Sequence, residues 1–97
     1  MKQREEVQWF AQVMESVLRK NDYKGGWHDA SFEFLLDKIL FEEIKELKDA
    51  LETLTMGAIT GEMVDNVVNE AADVANLAMM IADKAVVYAP EDKGATQ

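Results

Sequence analysis

The chain contains one proline, Pro90, and before it glycine interrupts the sequence in only two places, "KGGW" (24–27) and "TMGAITG" (55–61). Long stretches between such breaks are free to run as helix. The apolar residues agree. Val7, Phe10, Ala11, Met14, Val17 and Leu18 recur at helical spacing, as do Leu36, Ile39, Leu40, Ile44, Leu47, Leu51 and Leu54. The spacing predicts helices over about 2–20, 32–54 and 62–88, the second capped by Ser31 or Asp29 and the third ended by Pro90. No long run alternates β-branched or aromatic residues with polar ones, so strands are not expected. The expected fold is all-α: an antiparallel helical bundle of three main helices in one domain, 1–90, followed by a polar, flexible tail at 91–97.

Composition narrows the function classes. With 97 residues there is material for one small domain. The formal net charge of −9 argues against nucleic acid and against an anionic membrane surface, both of which require basic patches. The most apolar region, 70–88, still carries Glu70, Asp73, Asn76, Asp83 and Lys84, so a membrane span is not expected. The absence of cysteine and the charged start "MKQREEVQWF", with no apolar core behind it, fit a cytoplasmic protein.

Four acids then stand out by angle. Advancing about 100° per residue from Glu70, Asp73 falls near −60°, Leu77 near −20°, Met63 and Ile81 near +20°, and Val74 near +40°. Both acids therefore lie within or beside the apolar stripe. The second helix repeats the pattern: from Glu43, Glu46 falls near −60°, among Leu36, Ile39, Leu47 and Leu54, with Lys45 and Lys48 on the opposite side. None of the four acids has a basic residue three or four positions away, whereas Glu42 has Lys38 and Lys45. Packing the two helices side by side would gather four uncompensated carboxylates. Two things relieve such a cluster: protonation, or a hard divalent cation with oxygen ligands. Mg²⁺ suits it, because it takes a few carboxylates and reaches substrate phosphates. The rival arrangement leaves the acids on the rim of the apolar stripe, reaching out to solvent. A calcium loop of the D-x-D-x-D-G type is absent.

Glu42-Glu43-x-x-Glu46 followed by Glu70-x-x-Asp73 resembles the EExxE…ExxD signature of the MazG-like, all-α nucleoside triphosphate pyrophosphohydrolases. "KGGW" upstream and "EAADVANLAMMIAD" downstream look like the phage- and prophage-associated branch of dATP/dGTP diphosphohydrolases. The resemblance spans roughly residues 1–88. It implies hydrolysis of a nucleoside triphosphate between the α- and β-phosphates to a monophosphate and pyrophosphate, with Mg²⁺ as cofactor and Mn²⁺ as a substitute. Carried over by motif, Glu43, Glu46, Glu70 and Asp73 bind metal, with Glu43 and Glu46 also candidates for catalysis. Glu42 is either a support to this set or a surface partner of Lys38 and Lys45. Purine deoxynucleotides as substrates follow from the "KGGW" likeness alone.

One departure is visible. Many relatives have a further helix that supplies basic residues to the phosphates, and here the sequence has little beyond the third. Candidates for substrate binding are Lys84, Lys24, Asn76 for sugar or phosphate, and Trp27 for base stacking. Three of them have a plainer alternative: Lys84 as a complement to the helix dipole, Asn76 solvated, Trp27 as a packing anchor. His28, the single histidine, is expected to decorate a loop, which leaves little support for His-based chemistry or a di-iron site. The third helix, with Val74, Ala75, Leu77, Ala78, Met79, Met80 and Ile81, is apolar on more than one face and must be covered. A homodimer or homotetramer is therefore expected to complete the bundle. The competing function is a non-enzymatic helical interaction module, which accounts for the apolar faces but not for the four acids.

Overall fold

The computed structural model describes residues 2–22 and 25–90. Among them every regular element is helical: α1 (Glu5–Lys20), α2 (Phe32–Lys38), a single π-helical turn (Ile39–Glu43), α3 (Ile44–Leu54) and α4 (Gly61–Val86). α2, the π turn and α3 form one continuous run over the stretch expected to be the second helix. The expected tail at 91–97 lies outside the described residues, as does Lys24.

Local chemistry sets the boundaries. Ser31, not Asp29, caps α2: its hydroxyl accepts from Phe34 N at 3.0 Å. Thr60 does the same for α4, accepting from Met63 N at 3.1 Å. Gly25 adopts φ +85°, a left-handed conformation that a residue with a Cβ resists, and its N–H closes the turn on Asp22 O at 3.0 Å. α1 begins at Glu5 rather than near residue 2, and α4 ends at Val86, two residues before the expected limit.

α4 is the centre of the molecule. α1 packs on one side of it and the α2–α3 run on the other, and among the described residues α1 makes no contact with α2 or α3. The α2–α3 run is antiparallel to α4: Phe32 meets Tyr88 at one end, with ring centroids 6.0 Å apart, and the acids of α3 and its π turn meet those of α4 further along. Three helices thus pack together as an open layer rather than a closed bundle. The buried apolar core is correspondingly small, consisting of Val17, Leu35, Ala50, Ala72 and Leu77.

This openness corrects the stripe read along the second helix. Leu36, Leu40, Ile44 and Leu51, expected in the core, are 48, 53, 42 and 44% exposed. α4 covers only part of an apolar face that is wider than one neighbouring helix. Phe41 and Trp9 are exposed as well. The chain presents 7552 Å² to solvent, whereas a compact monomer of its mass has about 5,600 Å². No helix among the described residues is long and apolar enough to cross a membrane.

Candidate metal centre

Glu43, Glu46, Glu70 and Asp73 come together. One carboxylate oxygen from each lies within 4.8 Å of the others. Glu43 ends the π turn, Glu46 sits in the first turn of α3, and Glu70 and Asp73 occupy the middle of α4. The i,i+3 spacing places both members of each pair on one helix face. Glu43 is buried, Glu70 and Asp73 are half-buried, and Glu46 is exposed.

The electrostatics follow from that crowding. The Glu43 carboxyl is pushed up from 4.5 to about 7, first by burial and then by the charges of Glu46 and Asp73, with Lys38 opposing. Glu70 is raised too, by burial first and then by Asp73 and Glu46. Glu43 Oε1 and Glu70 Oε1 are buried oxygens without a hydrogen-bond partner among the described residues. An ionised carboxylate is acceptor-only, so neighbouring carboxylates satisfy one another only while one of them keeps a proton. When all four are ionised, two buried acceptors face one another's charge. A divalent cation with oxygen ligands fits such a donor set, and the residues present match it in number and chemistry.

A pH dependence follows. Between about 4.5 and 7 the native state holds a proton on Glu43 that the unfolded chain has released. Stability is therefore complete on the acid side of this window and falls as pH rises through it. Glu70 acts in the same direction. The metal-free protein is expected to melt several degrees lower at pH 8 than at pH 5, and saturating Mg²⁺ should remove most of the difference. Thermal unfolding followed by circular dichroism across this range, with and without Mg²⁺, checks both parts.

The sequence pattern missed one charge. Lys38 Nζ lies 3.0 Å from Glu42 Oε1 and 3.6 Å from Glu43 Oε2. Lys38 and Glu43 are five residues apart, beyond the i±3 and i±4 neighbours of an α-helix. The π turn closes an i→i+5 bond, Ile44 N to Ile39 O, and brings that spacing onto one face. Glu43 thus has a basic partner, contrary to the expectation from α-helical spacing. The ammonium is also held above its usual pKa, mainly by its hydrogen bond to Glu42. Glu42 itself remains a surface partner of Lys38, whereas Lys45 pairs instead with Asp49 at 3.2 Å.

The expected substrate residues separate into two groups. Trp27 and Asn76 line a cavity of about 500 Å³ that also touches Glu43, Asp73 and Lys38. Trp27 is anchored at the same time: its Nε1 donates to Asp83 Oδ2 at 3.2 Å and its ring stacks on His28. Asn76 is buried, not solvated. Lys84, by contrast, does not line the cavity. Its Nζ donates to His28 O at 3.2 Å and sits over the Phe32 ring, 5.2 Å from the centroid, so that it ties the 25–30 loop to α4. His28 lies in that loop, with Nε2 3.7 Å from Asp83 Oδ2.

No family model, curated protein or solved structure matches the chain.

Proposed function

We propose that the protein hydrolyses nucleoside triphosphates between the α- and β-phosphates in a Mg²⁺-dependent reaction, releasing a monophosphate and pyrophosphate. The observation that carries this reading is the set of four carboxylates from two facing helices, two of them with buried, unpartnered oxygens, beside a cavity of nucleotide-compatible size. Small-molecule sites enclose about 300–1,000 Å³.

Glu43, Glu46, Glu70 and Asp73 would hold the cation, with Mn²⁺ as a substitute for Mg²⁺. When bound, it supplies charge neutralisation for the phosphate oxygens and acidity for water. Glu43 or Glu46 takes the proton of the attacking water. The new bond joins the water oxygen to the α-phosphorus, the bridging bond to the β-phosphate breaks, and pyrophosphate leaves with that electron pair. Glu43 is fixed by burial and by Lys38, and Lys38, on the cavity wall, offers its ammonium to the phosphates. Catalysis by this chain would consist mainly of positioning and electrostatics.

The test is pyrophosphate release from a panel of ribo- and deoxynucleoside triphosphates with and without Mg²⁺. Metal-dependent release from at least one supports the reading. No release from any nucleotide would favour the non-enzymatic interaction module, to which the broad exposed apolar surface also points.

Assembly belongs to the same proposal. The apolar residues that α4 leaves uncovered on α2–α3, including Leu36, Leu40, Phe41, Ile44 and Leu51, would be covered by further copies of the chain. Sedimentation equilibrium at micromolar concentration should give a dimer or tetramer, and a mass near 10.9 kDa would reject the assembly.

A further inference from the structure

Lys38 is joined to two acids at once. Its Nζ lies 3.0 Å from Glu42 Oε1 and 3.6 Å from Glu43 Oε2. Glu42 is exposed and Glu43 is buried, so solvent screens the first pair well and the second poorly. Glu42 thus anchors the ammonium, and Glu43 receives its field. The π turn over Ile39–Glu43 builds this pairing into the backbone, because it puts two residues five apart on one face.

The pairing divides the two oxygens of Glu43. Oε2 faces the ammonium, and Oε1 is buried with no hydrogen-bond partner among the described residues. Glu43 is only 8% exposed, which leaves its carboxylate little room to turn and exchange the two. Cations differ in what they ask of a carboxylate. Mg²⁺ takes six oxygens in a near-ideal octahedron at about 2.0–2.1 Å and keeps several waters. Ca²⁺ takes six to eight at about 2.3–2.6 Å and often grips a carboxylate by both oxygens. Four acids that give one oxygen each, with water in the remaining positions, suit the first ion. The second gains ligands by taking both oxygens of an acid. At Glu43 that would require Oε2, which Lys38 holds. We propose that Lys38 is a positioning residue: paired with Oε2, it limits Glu43 to one oxygen for the ion and so makes the four-acid site prefer a small octahedral cation, Mg²⁺ or Mn²⁺, over Ca²⁺. This rests on the cation site of the reading above and not on the reaction assigned to it. Ligating carboxylates are generally held in this way by a neighbour outside the ligand set.

Calorimetric titration of the metal-free chain with Mg²⁺ and with Ca²⁺ at pH 8 gives two dissociation constants and their ratio. A lost charge, or a general loosening of the fold, changes the binding of two divalent ions alike. The number of oxygens that Glu43 can give changes it for Ca²⁺ alone, so the ratio reads the proposed role. The unaltered protein should bind Mg²⁺ more tightly than Ca²⁺ by about tenfold or more. Lys38→Met keeps most of the stem and removes the ammonium, and it should move the ratio toward Ca²⁺ by about tenfold. Lys38→Arg keeps a cationic donor for Oε2 and should keep the ratio of the unaltered protein. A ratio that is unchanged in Lys38→Met, or that moves toward Mg²⁺, overturns the proposal. So does a shift in Lys38→Arg as large as that in Lys38→Met. Should neither variant fold, the unaltered protein decides alone, and Ca²⁺ bound as tightly as Mg²⁺ overturns the proposal. No saturable binding of either ion removes the cation site and the proposal together, whereas saturable binding without a preference for Mg²⁺ removes the proposal and leaves the site. The predicted ratios without turnover of any triphosphate would remove the hydrolase and leave Lys38 in this role.

Discussion

Glu43→Gln is expected to cut pyrophosphate release at saturating Mg²⁺ by at least about a thousandfold, a loss typical of removing a group that organises charge in the transition state. Glu70→Gln should do the same. Both substitutions keep the size of the side chain and remove one negative charge from a group of four oxygens lying within 4.8 Å of one another. For that reason neither should follow the usual tendency of substitutions to destabilise. In the metal-free protein at pH 8 both are expected to hold or raise the melting temperature, because each removes a charge that burial and neighbouring carboxylates oppose. Glu52→Gln is the control. Glu52 is exposed, its carboxylate pairs among the described residues with Lys48 on its own helix, at 3.4 Å, and its replacement should change neither activity nor the response to metal. Wild-type turnover in Glu70→Gln would remove the site. Lost turnover together with a clearly destabilised metal-free protein would keep the chemistry and reject the argument from repulsion.

The second large effect is stabilisation by the metal alone. A ligand that binds only the native state at a hundredfold over its Kd adds about 2.7 kcal/mol. For a domain of this length each kcal/mol moves Tm by about 4–8 °C, so Mg²⁺ should raise it by roughly 10–20 °C at pH 8. The open layer makes the shift easy to see, since only five apolar residues among those described are buried. In Glu43→Gln and Glu70→Gln most of the shift should disappear. A screening salt such as NaCl at matched ionic strength should reproduce little of it, because the half-buried acids are poorly screened from one another.

What the sequence made legible, and what it did not, has a physical pattern. The four acids could be found because helical angle and the absence of i±3 and i±4 cations are local properties, and Glu43, Glu46, Glu70 and Asp73 are the residues the structure gathers. Lys38 was hidden by the π turn at Ile39–Glu43, which changes the spacing at which side chains become neighbours. Nothing in the residues 39–43 themselves announces that turn. Lys84 lies on the face of α4 that its angle predicts, but the His28 carbonyl and the Phe32 ring, brought there by tertiary packing, hold it. The exposure of Leu36, Leu40, Ile44 and Leu51 was equally out of reach, because periodicity shows that a face is apolar and not how much of it one neighbour covers. The cavity belongs to this class too. It arises from the gap between α1 and α2, a property of the arrangement around α4 rather than of any segment.

Whether the four carboxylates form one cation site is tested most directly by calorimetric titration of the metal-free protein with Mn²⁺ and Mg²⁺ at pH 8, compared with the Glu43→Gln/Glu70→Gln double variant. Saturable binding of one or two ions per chain, absent from the double variant while its helical circular dichroism is unchanged, is the predicted result. No saturable binding at millimolar metal, or binding that the double variant retains, would contradict it.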